Sequence, residues 1–149
     1  MNLPRLLSAL KSLALVGIFA TAILGQGTLG VVSCLVLVIA QALIMLYIMT
    51  ATGNILDNAS SKELPKGIGA EAITLRRLVL PRAYPAIILA AILFTLLAAP
   101  PMFQFAFWPH LSLAIITILA GVYSAIAEFF AFRLLESLQS RVSALLSAL

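Results

Sequence analysis

The stretch TGNILDNASSKELPKGIGAEAITLRRLVLPRAYP (residues 52–85) is the one long polar interval between two blocks of nearly uninterrupted apolar sequence. It carries five of the nine Lys and Arg residues of the chain. Short cytoplasmic loops of membrane proteins are enriched in Lys and Arg, and this bias sets the orientation of the chain in the membrane. We therefore expect the interval to be cytoplasmic and to contain a short basic amphipathic helix over residues 70–80.

The composition of the whole chain is that of a membrane protein. Its 149 residues are 63% hydrophobic and 9% charged, with a net charge of +4 and a mean hydropathy of +1.17, far from the averages of soluble domains. The basic residues flank apolar segments and do not form one solvated patch, so we expect no nucleic-acid partner. The single cysteine, Cys34, lies inside an apolar run, where we expect it to be a small buried hydrophobe.

The apolar segments on either side of the interval predict four membrane spans, paired as two helical hairpins. The first covers residues 6–24; it resembles a signal peptide in its basic start and small residues, but we expect it to be retained. The second, residues 31–50, has twenty residues, which match a hydrocarbon layer of about 30 Å. The third covers residues 86–105 and is interrupted by Pro100 and Pro101, so residues 100–110 cross, re-enter or lie in the interface. The fourth covers residues 111–132.

The carboxy-terminal tail, residues 133–149, has a different pattern. Its apolar residues recur at spacings of three and four, as in a helix with one apolar face; they include Leu135, Leu138, Val142, Leu145 and Leu149. We expect this helix to lie on the membrane surface or against a partner helix. The predicted fold is a single all-α integral membrane domain, residues 1–149, with four transmembrane helices, a short cytoplasmic interfacial helix and a C-terminal amphipathic helix.

Charge asymmetry predicts the topology. With four spans, the amino terminus, the interval and the tail share one side, and that side holds every Lys and Arg of the chain: Arg5, Lys11, Lys62, Lys66, Arg76, Arg77, Arg82, Arg133 and Arg141. The loops on the other side hold none. The bias predicts that both termini are cytoplasmic, and we expect the protein in a bacterial inner membrane.

Two polar residues inside the predicted spans are candidates for function. Glu128 lies in the fourth span, where an ionisable side chain is costly and is by default a candidate proton or cation site. The alternative is a structural ion pair with Arg82 or Arg133. Gln41 lies near the middle of the second span, where it can form an interhelical hydrogen bond or line a substrate pathway.

Small residues recur every four positions in two spans, at Gly17, Thr21 and Gly25 and at Gly121 and Ala125. This spacing lets helix backbones approach closely, so we expect these positions at helix contacts within the chain or with another subunit. His110 has no second His or Cys at ligand spacing, so we expect no metal site and no cofactor. The sequence contains no recognisable catalytic constellation, and we expect a protein that is not an enzyme.

Part of the interval also matches a known pattern. Glu63 lies six residues before Gly69, Ala70 follows, and LRRLVLP (residues 75–81) leads through Pro85 into the third span. In this order of elements residues 63–89 resemble the EAA loop, the cytoplasmic loop of ABC-importer permeases, although Leu64 and Pro65 stand where that loop has two alanines. The resemblance implies a docking site for a cytoplasmic ATPase, formed by Glu63 and Gly69 together with the following basic helix.

Three functions remain open on the sequence alone. The first is a non-catalytic membrane subunit of a transport-related assembly, which docks a cytoplasmic partner through residues 52–85 by means of Arg76, Arg77 and Arg82. The same arginines would otherwise bind lipid headgroups. The second is a self-contained homo-oligomeric channel or carrier, with Gln41 and Glu128 on its pathway. The third, a membrane enzyme or cofactor-carrying subunit, has the least support.

Overall fold

The computed structural model describes residues 3–24, 27–61, 65–99 and 107–147, and these form four α-helices. They are α1 (Leu3–Leu24), α2 (Gly27–Ser61), α3 (Lys66–Ala98) and α4 (Phe107–Ser147). Each helix packs against its neighbour in the chain, and α1 also packs against α4. The architecture is an up-down-up-down four-helix bundle in which successive helices are antiparallel. All four helices are long and apolar enough to cross a membrane.

The buried residues of every helix recur at spacings of three and four residues, as in a heptad repeat, although in α3 two spacings of four follow each other from Leu75 through Val79 to Ala83. In α1 they are Leu7, Lys11, Ala14, Ile18 and Thr21. In α4 the spacing continues without a phase change through Ala114, Thr117, Gly121, Ser124, Glu128, Ala131, Leu135, Leu138 and Val142. A repeat of 3.5 residues keeps one seam of each helix turned toward its partners, which is the packing of coiled coils and of most four-helix bundles.

Three of the helices are much longer than one membrane crossing. At 1.5 Å per residue, α1 is about 33 Å long, while α2, α3 and α4 are about 50 to 62 Å long. The surplus lies at one end of the bundle, because the α1–α2 connection and the α3–α4 connection both lie at the other end. We call this part the three-helix extension: residues 49–61 of α2, 66–79 of α3 and 132–147 of α4.

The extension has a continuous apolar core of its own. Ile55 of α2, Ile68, Ala72 and Leu75 of α3, and Leu138 of α4 belong to one buried cluster. Val142, one helical turn beyond Leu138, is part of the same cluster. The apolar face of the tail is therefore covered by α2 and α3 of the same chain.

These packed helices correct three expectations from the sequence. Residues 52–61 continue α2 and do not begin a loop, residues 70–80 are the first part of α3, and the tail is the last part of α4. The short interfacial helix and the tail helix are thus not separate elements, and tertiary packing on the shared core overrides the weak helix propensity of Gly53, Asn54 and Asp57.

Prolines within α3 and proline after its end have different effects on the helix. Pro81 and Pro85 lie inside the helix, which continues through both, because the buried stripe on either side of them packs on the other helices. Pro100 acts as expected from the sequence: α3 ends at Ala98, and Ala99 is extended, with φ −64° and ψ 146°. A residue before proline is disfavoured in the helical region, which explains this end. The end of the expected third span, residues 100–105, lies outside the described residues, as does most of the stretch 100–110 that was expected to cross, re-enter or lie in the interface.

Candidate functional site

Four polar side chains from three helices meet in the interior of the bundle. They are Lys11 of α1, Gln41 of α2, and Ser124 and Glu128 of α4, and each is at most 3% exposed. We call them the buried polar cluster. The cluster separates two apolar cores, one in the three-helix extension and its approach and one toward the far end of the bundle.

The geometry of the cluster centres on one oxygen of Glu128. Its Oε1 accepts hydrogen bonds from Lys11 Nζ at 2.8 Å, from Gln41 Nε2 at 2.5 Å and from Ser124 Oγ at 2.6 Å. Only donors surround this oxygen, which is the environment of an ionised carboxylate. Lys11 supplies the opposite charge, so the buried pair is neutral as a whole.

Two of the three hydrogen bonds of the cluster join different helices. The ion pair joins α1 to α4, and the Gln41 bond joins α2 to α4 across the bundle. Ser124 lies one turn before Glu128 in α4 and holds the carboxylate at its own helix. Because a buried charge without a partner is costly, these bonds favour one register of the helices over its alternatives.

One fully buried polar atom of the cluster, Gln41 Oε1, has no hydrogen-bond partner among the described residues. The amide of Gln41 directs its NH2 group at the carboxylate, which turns Oε1 away from it, and this buried oxygen accepts no hydrogen bond from the described residues. A buried acceptor without a donor typically costs about 1–3 kcal/mol. Within the described residues, Gln41 Oε1 is therefore a buried acceptor without a donor, close to the Lys11–Glu128 ion pair.

The structure answers the question of how Glu128 is paired. The expected partners, Arg82 and Arg133, are wrong, and Lys11 takes this place. Arg133 instead lies over the Phe129 ring, 4.6 Å from its centroid. Sequence reasoning treated Lys11 as a flanking basic residue and did not consider Ser124. The spacing of Lys11 four residues after Leu7 and three before Ala14 was the available signal, because it puts the lysine on the heptad stripe that faces the bundle.

Arg76, one of the proposed docking residues, forms hydrogen bonds to α2 within the chain. Its Nε donates to Thr52 Oγ1 at 2.6 Å and its Nη2 donates to the Met49 carbonyl at 2.9 Å. Thr52 in turn donates to the Ile48 carbonyl at 2.6 Å. Gly53 leaves room for the guanidinium, since Nη2 lies 3.3 Å from where a Cβ at this position would be. Arg76 thus ties α3 to α2.

Of the other proposed docking residues, Arg82 and Gly69 lie at contacts between helices, whereas Arg77 is on the surface. Arg82 donates through Nε to the Tyr123 hydroxyl at 3.0 Å, so it ties α3 to α4. Gly69 is half-buried and faces Leu56 of α2. Arg77 is exposed, and Glu63 lies outside the described residues.

The small residues lie at helix contacts within the chain. A Cβ on Gly17 would come within 2.1 Å of the Ser33 oxygen, and one on Gly121 would come within 2.6 Å of a Leu15 methyl group. Thr21, which donates to the Gly17 carbonyl, packs against Gly30 of α2. Gly25 lies outside the described residues, and Ala125 is half-buried in the groove between α1 and α4.

Two further residues considered from the sequence are Cys34 and His110. Cys34 is fully buried in the far core, as expected. His110 lies in the first turns of α4, and its Nε2 has no hydrogen-bond partner among the described residues. Within residues 3–24, 27–61, 65–99 and 107–147, no three His, Cys, Asp or Glu side chains come together as metal ligands.

Comparison of the chain with protein-family models, with curated proteins and with solved structures found no match. The buried polar cluster and the three-helix extension are the two features that the structure adds to the sequence.

Proposed function

We propose that this chain is a non-catalytic integral membrane subunit of a transport-related assembly, and that its three-helix extension docks a cytoplasmic partner. The observation that carries the proposal is the extension itself. Three helices continue together well past the length of one crossing and share a buried core. A membrane protein has no need of a packed helical projection merely to cross the bilayer, whereas a partner protein needs a rigid surface to bind.

The membrane placement rests on the outer surface of the bundle. Large apolar side chains point outward from the four helices, among them Val16, Val32, Ile88 and Leu119, each more than half exposed. A continuous apolar belt on a soluble protein would be an aggregation site, whereas hydrocarbon covers it without cost. The ionised side chains that lie at the depth of the belt, Lys11 and Glu128, neutralise each other inside the bundle.

The orientation rests on charge. Residues 12–61 and 83–132, which include both connections at the end opposite the extension, contain no Lys or Arg. The positive-inside rule supports a cytoplasmic extension with both termini on the same side. Together with the resemblance of residues 63–89 to the EAA loop, it supports a bacterial inner membrane and a cytoplasmic ATPase as the partner.

The docking face we propose is the outer side of α3 in the extension. Ala70, Ile73 and Arg77 are all exposed and recur at spacings of three and four, so they lie on one face. Ile73 is 43% exposed although it is a large aliphatic residue at the end of the bundle that we place in water. An exposed aliphatic side chain beside an arginine is a typical centre of a protein–protein interface. Arg76 ties this part of α3 to α2.

The test is purification of the chain from its native membrane in nanodiscs, followed by quantitative mass spectrometry. We expect a stoichiometric cytoplasmic protein with wild type and its loss with the Ile73→Ser/Arg77→Gln variant. Leu134→Ser/Arg141→Gln is the matched control, because Leu134 is 44% exposed, as Ile73 is 43% exposed, and Arg141 is exposed, but both lie on α4 and not on the proposed face of α3. A chain that purifies without any partner, as a defined homo-oligomer, would overturn the proposal.

A second function is favoured by the free oxygen of Gln41. A buried ion pair with an unpartnered acceptor beside it could hold a proton or a cation in transit, so the chain could be a self-contained homo-oligomeric channel or carrier. Purified protein in liposomes would then conduct protons or cations, and Glu128→Gln would abolish that flux. Absence of flux above protein-free liposomes would exclude this alternative.

A further inference from the structure

An open groove runs along the outside of the bundle between α1 and α4, the pair of neighbouring helices that packs least extensively. Two connected cavities of about 470 and 550 Å³ form it. They share Ser8, Ser12 and Phe129, so they are parts of one trough. On α1 the trough extends from Pro4 to Leu15, about 16 Å at the helical rise.

The two ends of the groove differ in chemistry. At the end near the extension its walls carry Arg5, Arg133 and Glu136, with Ser8 and Ser12 between them. Toward the far end they are apolar, formed by Leu15, Val122, Ala125, Ile126, Phe129 and Phe130. The groove is therefore amphipathic along its length, with a net charge of +1 at the polar mouth.

The two arginines at the mouth are available to a ligand. Both are exposed, and in the part of the chain that the structure describes, no carboxylate forms an ion pair with either guanidinium; the ion pairs there are Lys11–Glu128 and Glu71–Arg141. Arg133 is held at the mouth by its position over the Phe129 ring. Stacking on an aromatic face leaves the in-plane N–H donors of a guanidinium free to bind an anion.

We propose that this groove binds one molecule of an anionic phospholipid, with its phosphodiester between Arg5 and Arg133 and one acyl chain along the apolar trough. Guanidinium groups bind phosphate oxygens through short charge-assisted hydrogen bonds. The trough offers the acyl chain phenyl and aliphatic contacts. Arg5, at the polar mouth, lies six residues before Lys11 on α1, which is less than two helical turns. The proposal rests on the membrane placement proposed above and is independent of the docking partner.

The test is native mass spectrometry of the purified full chain in detergent, titrated with dioleoyl phosphatidylglycerol. We expect one tightly bound lipid with wild type and a loss of affinity of about tenfold or more with Arg5→Gln/Arg133→Gln. Arg141→Gln is the matched control and should bind as wild type does, because Arg141 is also exposed but does not line the groove. Ala125→Trp, which fills the trough without touching the mouth, should also lose the lipid while the thermal stability in lipid-free detergent stays unchanged.

Three results would overturn the proposal. The first is equal lipid affinity of wild type and the Arg5→Gln/Arg133→Gln variant. The second is equal affinity for dioleoylglycerol, which has the same acyl chains and no phosphate. The third is displacement of the lipid by millimolar inorganic phosphate, which would identify a free-anion site. Partner loss in the nanodisc experiment does not bear on any of them, so failure of this proposal and failure of the docking proposal are distinguishable.

Discussion

At the scale of single residues, the stability of the bundle depends on one buried ion pair, and substitution of either residue alone is expected to destabilise the fold. Lys11 and Glu128 are both almost fully buried, so removal of one leaves the other charge uncompensated in an apolar interior. The loss in such cases is about 3–5 kcal/mol, whereas removal of both charges can be nearly neutral. We therefore expect the pair to favour one register of α1 relative to α4, and to add little net free energy of folding.

The first prediction is a double-mutant cycle on this pair. We expect Lys11→Met and Glu128→Gln each to lower the free energy of unfolding by about 3–5 kcal/mol, and the double variant to lose much less than the sum. Unfolding by dodecyl sulfate in mixed micelles measures all four corners of the cycle.

The exposed pair of Arg141 and Glu71 provides the control for the cycle. Their side chains are 48% and 41% exposed, and Arg141 Nη1 donates to Glu71 Oε1 at 3.3 Å. Water screens such a pair, so Arg141→Met should cost at most about 1 kcal/mol. Additive losses at Lys11 and Glu128 would show that the two residues do not act as a pair.

Sequence reasoning recognised half of this site. Gln41 and Glu128 stand out because polar residues are rare in apolar spans. Lys11 does not, because a lysine eight residues from Leu3 is also what an ordinary basic flank looks like. Which cation neutralises Glu128 depends on how far α1 and α4 are offset along the bundle, and only the assembled helices show that.

At the scale of helices, close packing of α1 on α2 depends on positions where no side chain fits. At Gly17 an added Cβ would lie 3.0 Å from the Ser33 Cβ, which is attached directly to the backbone and cannot rotate away. The helices would have to separate locally to admit it. Gly67, in contrast, has no atom within 4 Å of an added Cβ.

The second prediction compares these two glycines. Gly17→Ala should lower the free energy of unfolding by about 1–3 kcal/mol because of overpacking. Gly67→Ala should leave it unchanged or raise it by up to about 1 kcal/mol, because alanine is the better helix former. The same dodecyl sulfate titration measures both variants. Equal effects of the two substitutions would mean that α1 and α2 do not approach as closely as the structure shows.

The third prediction concerns the last part of α4. Leu138 is fully buried in the core of the extension, while Leu134, one turn earlier, is 44% exposed. We expect Leu138→Ala to cost about 2–5 kcal/mol as a cavity in a packed core, and Leu134→Ala to stay within about 0.5 kcal/mol of wild type, as exposed substitutions usually do. Thermal unfolding followed by circular dichroism distinguishes them. A tail lying free on the membrane would give two similar, small effects.

The periodicity of the elements explains which of them the sequence could define. The tail showed its apolar face because its other faces are polar. Inside the spans the hydropathy pattern does not distinguish the buried face from the outer face. Ile115, Ile116 and Leu119 on the outer side of α4 are as apolar as Ala114 on the inner side. Sequence reasoning therefore separated the tail from the span, although the buried stripe passes from Ala131 to Leu135 without interruption.

At the scale of the whole molecule, four long apolar helices paired in chain order were expected from the hydropathy of the sequence, and the described residues form four helices long and apolar enough to cross a membrane. The extension did not follow, because residues 52–85 contain Gly, Asn, Asp, Ser and Pro, which are typical of loops. The helical state of residues 52–61 and 66–79 depends on contacts with residues 132–147, far away in the chain. Such contacts leave no trace in local propensity.

The central claim is that the extension stands clear of the bilayer as a packed three-helix unit, and its depth along α4 tests this most directly. Nitroxide labels at exposed positions of α4, one at a time in nanodiscs, would report relative accessibility to oxygen and to a nickel chelate. The positions are Ile116, Leu119, Ile126, Phe130, Leu134, Glu136, Gln139 and Ser143, all exposed in the structure. We predict high oxygen accessibility at the first of these and a steady change, at about 1.5 Å of depth per residue, to full exposure to the nickel chelate by Gln139 and Ser143. A plateau at headgroup depth from Leu134 onward would show that the tail lies on the membrane surface, and would contradict the claim.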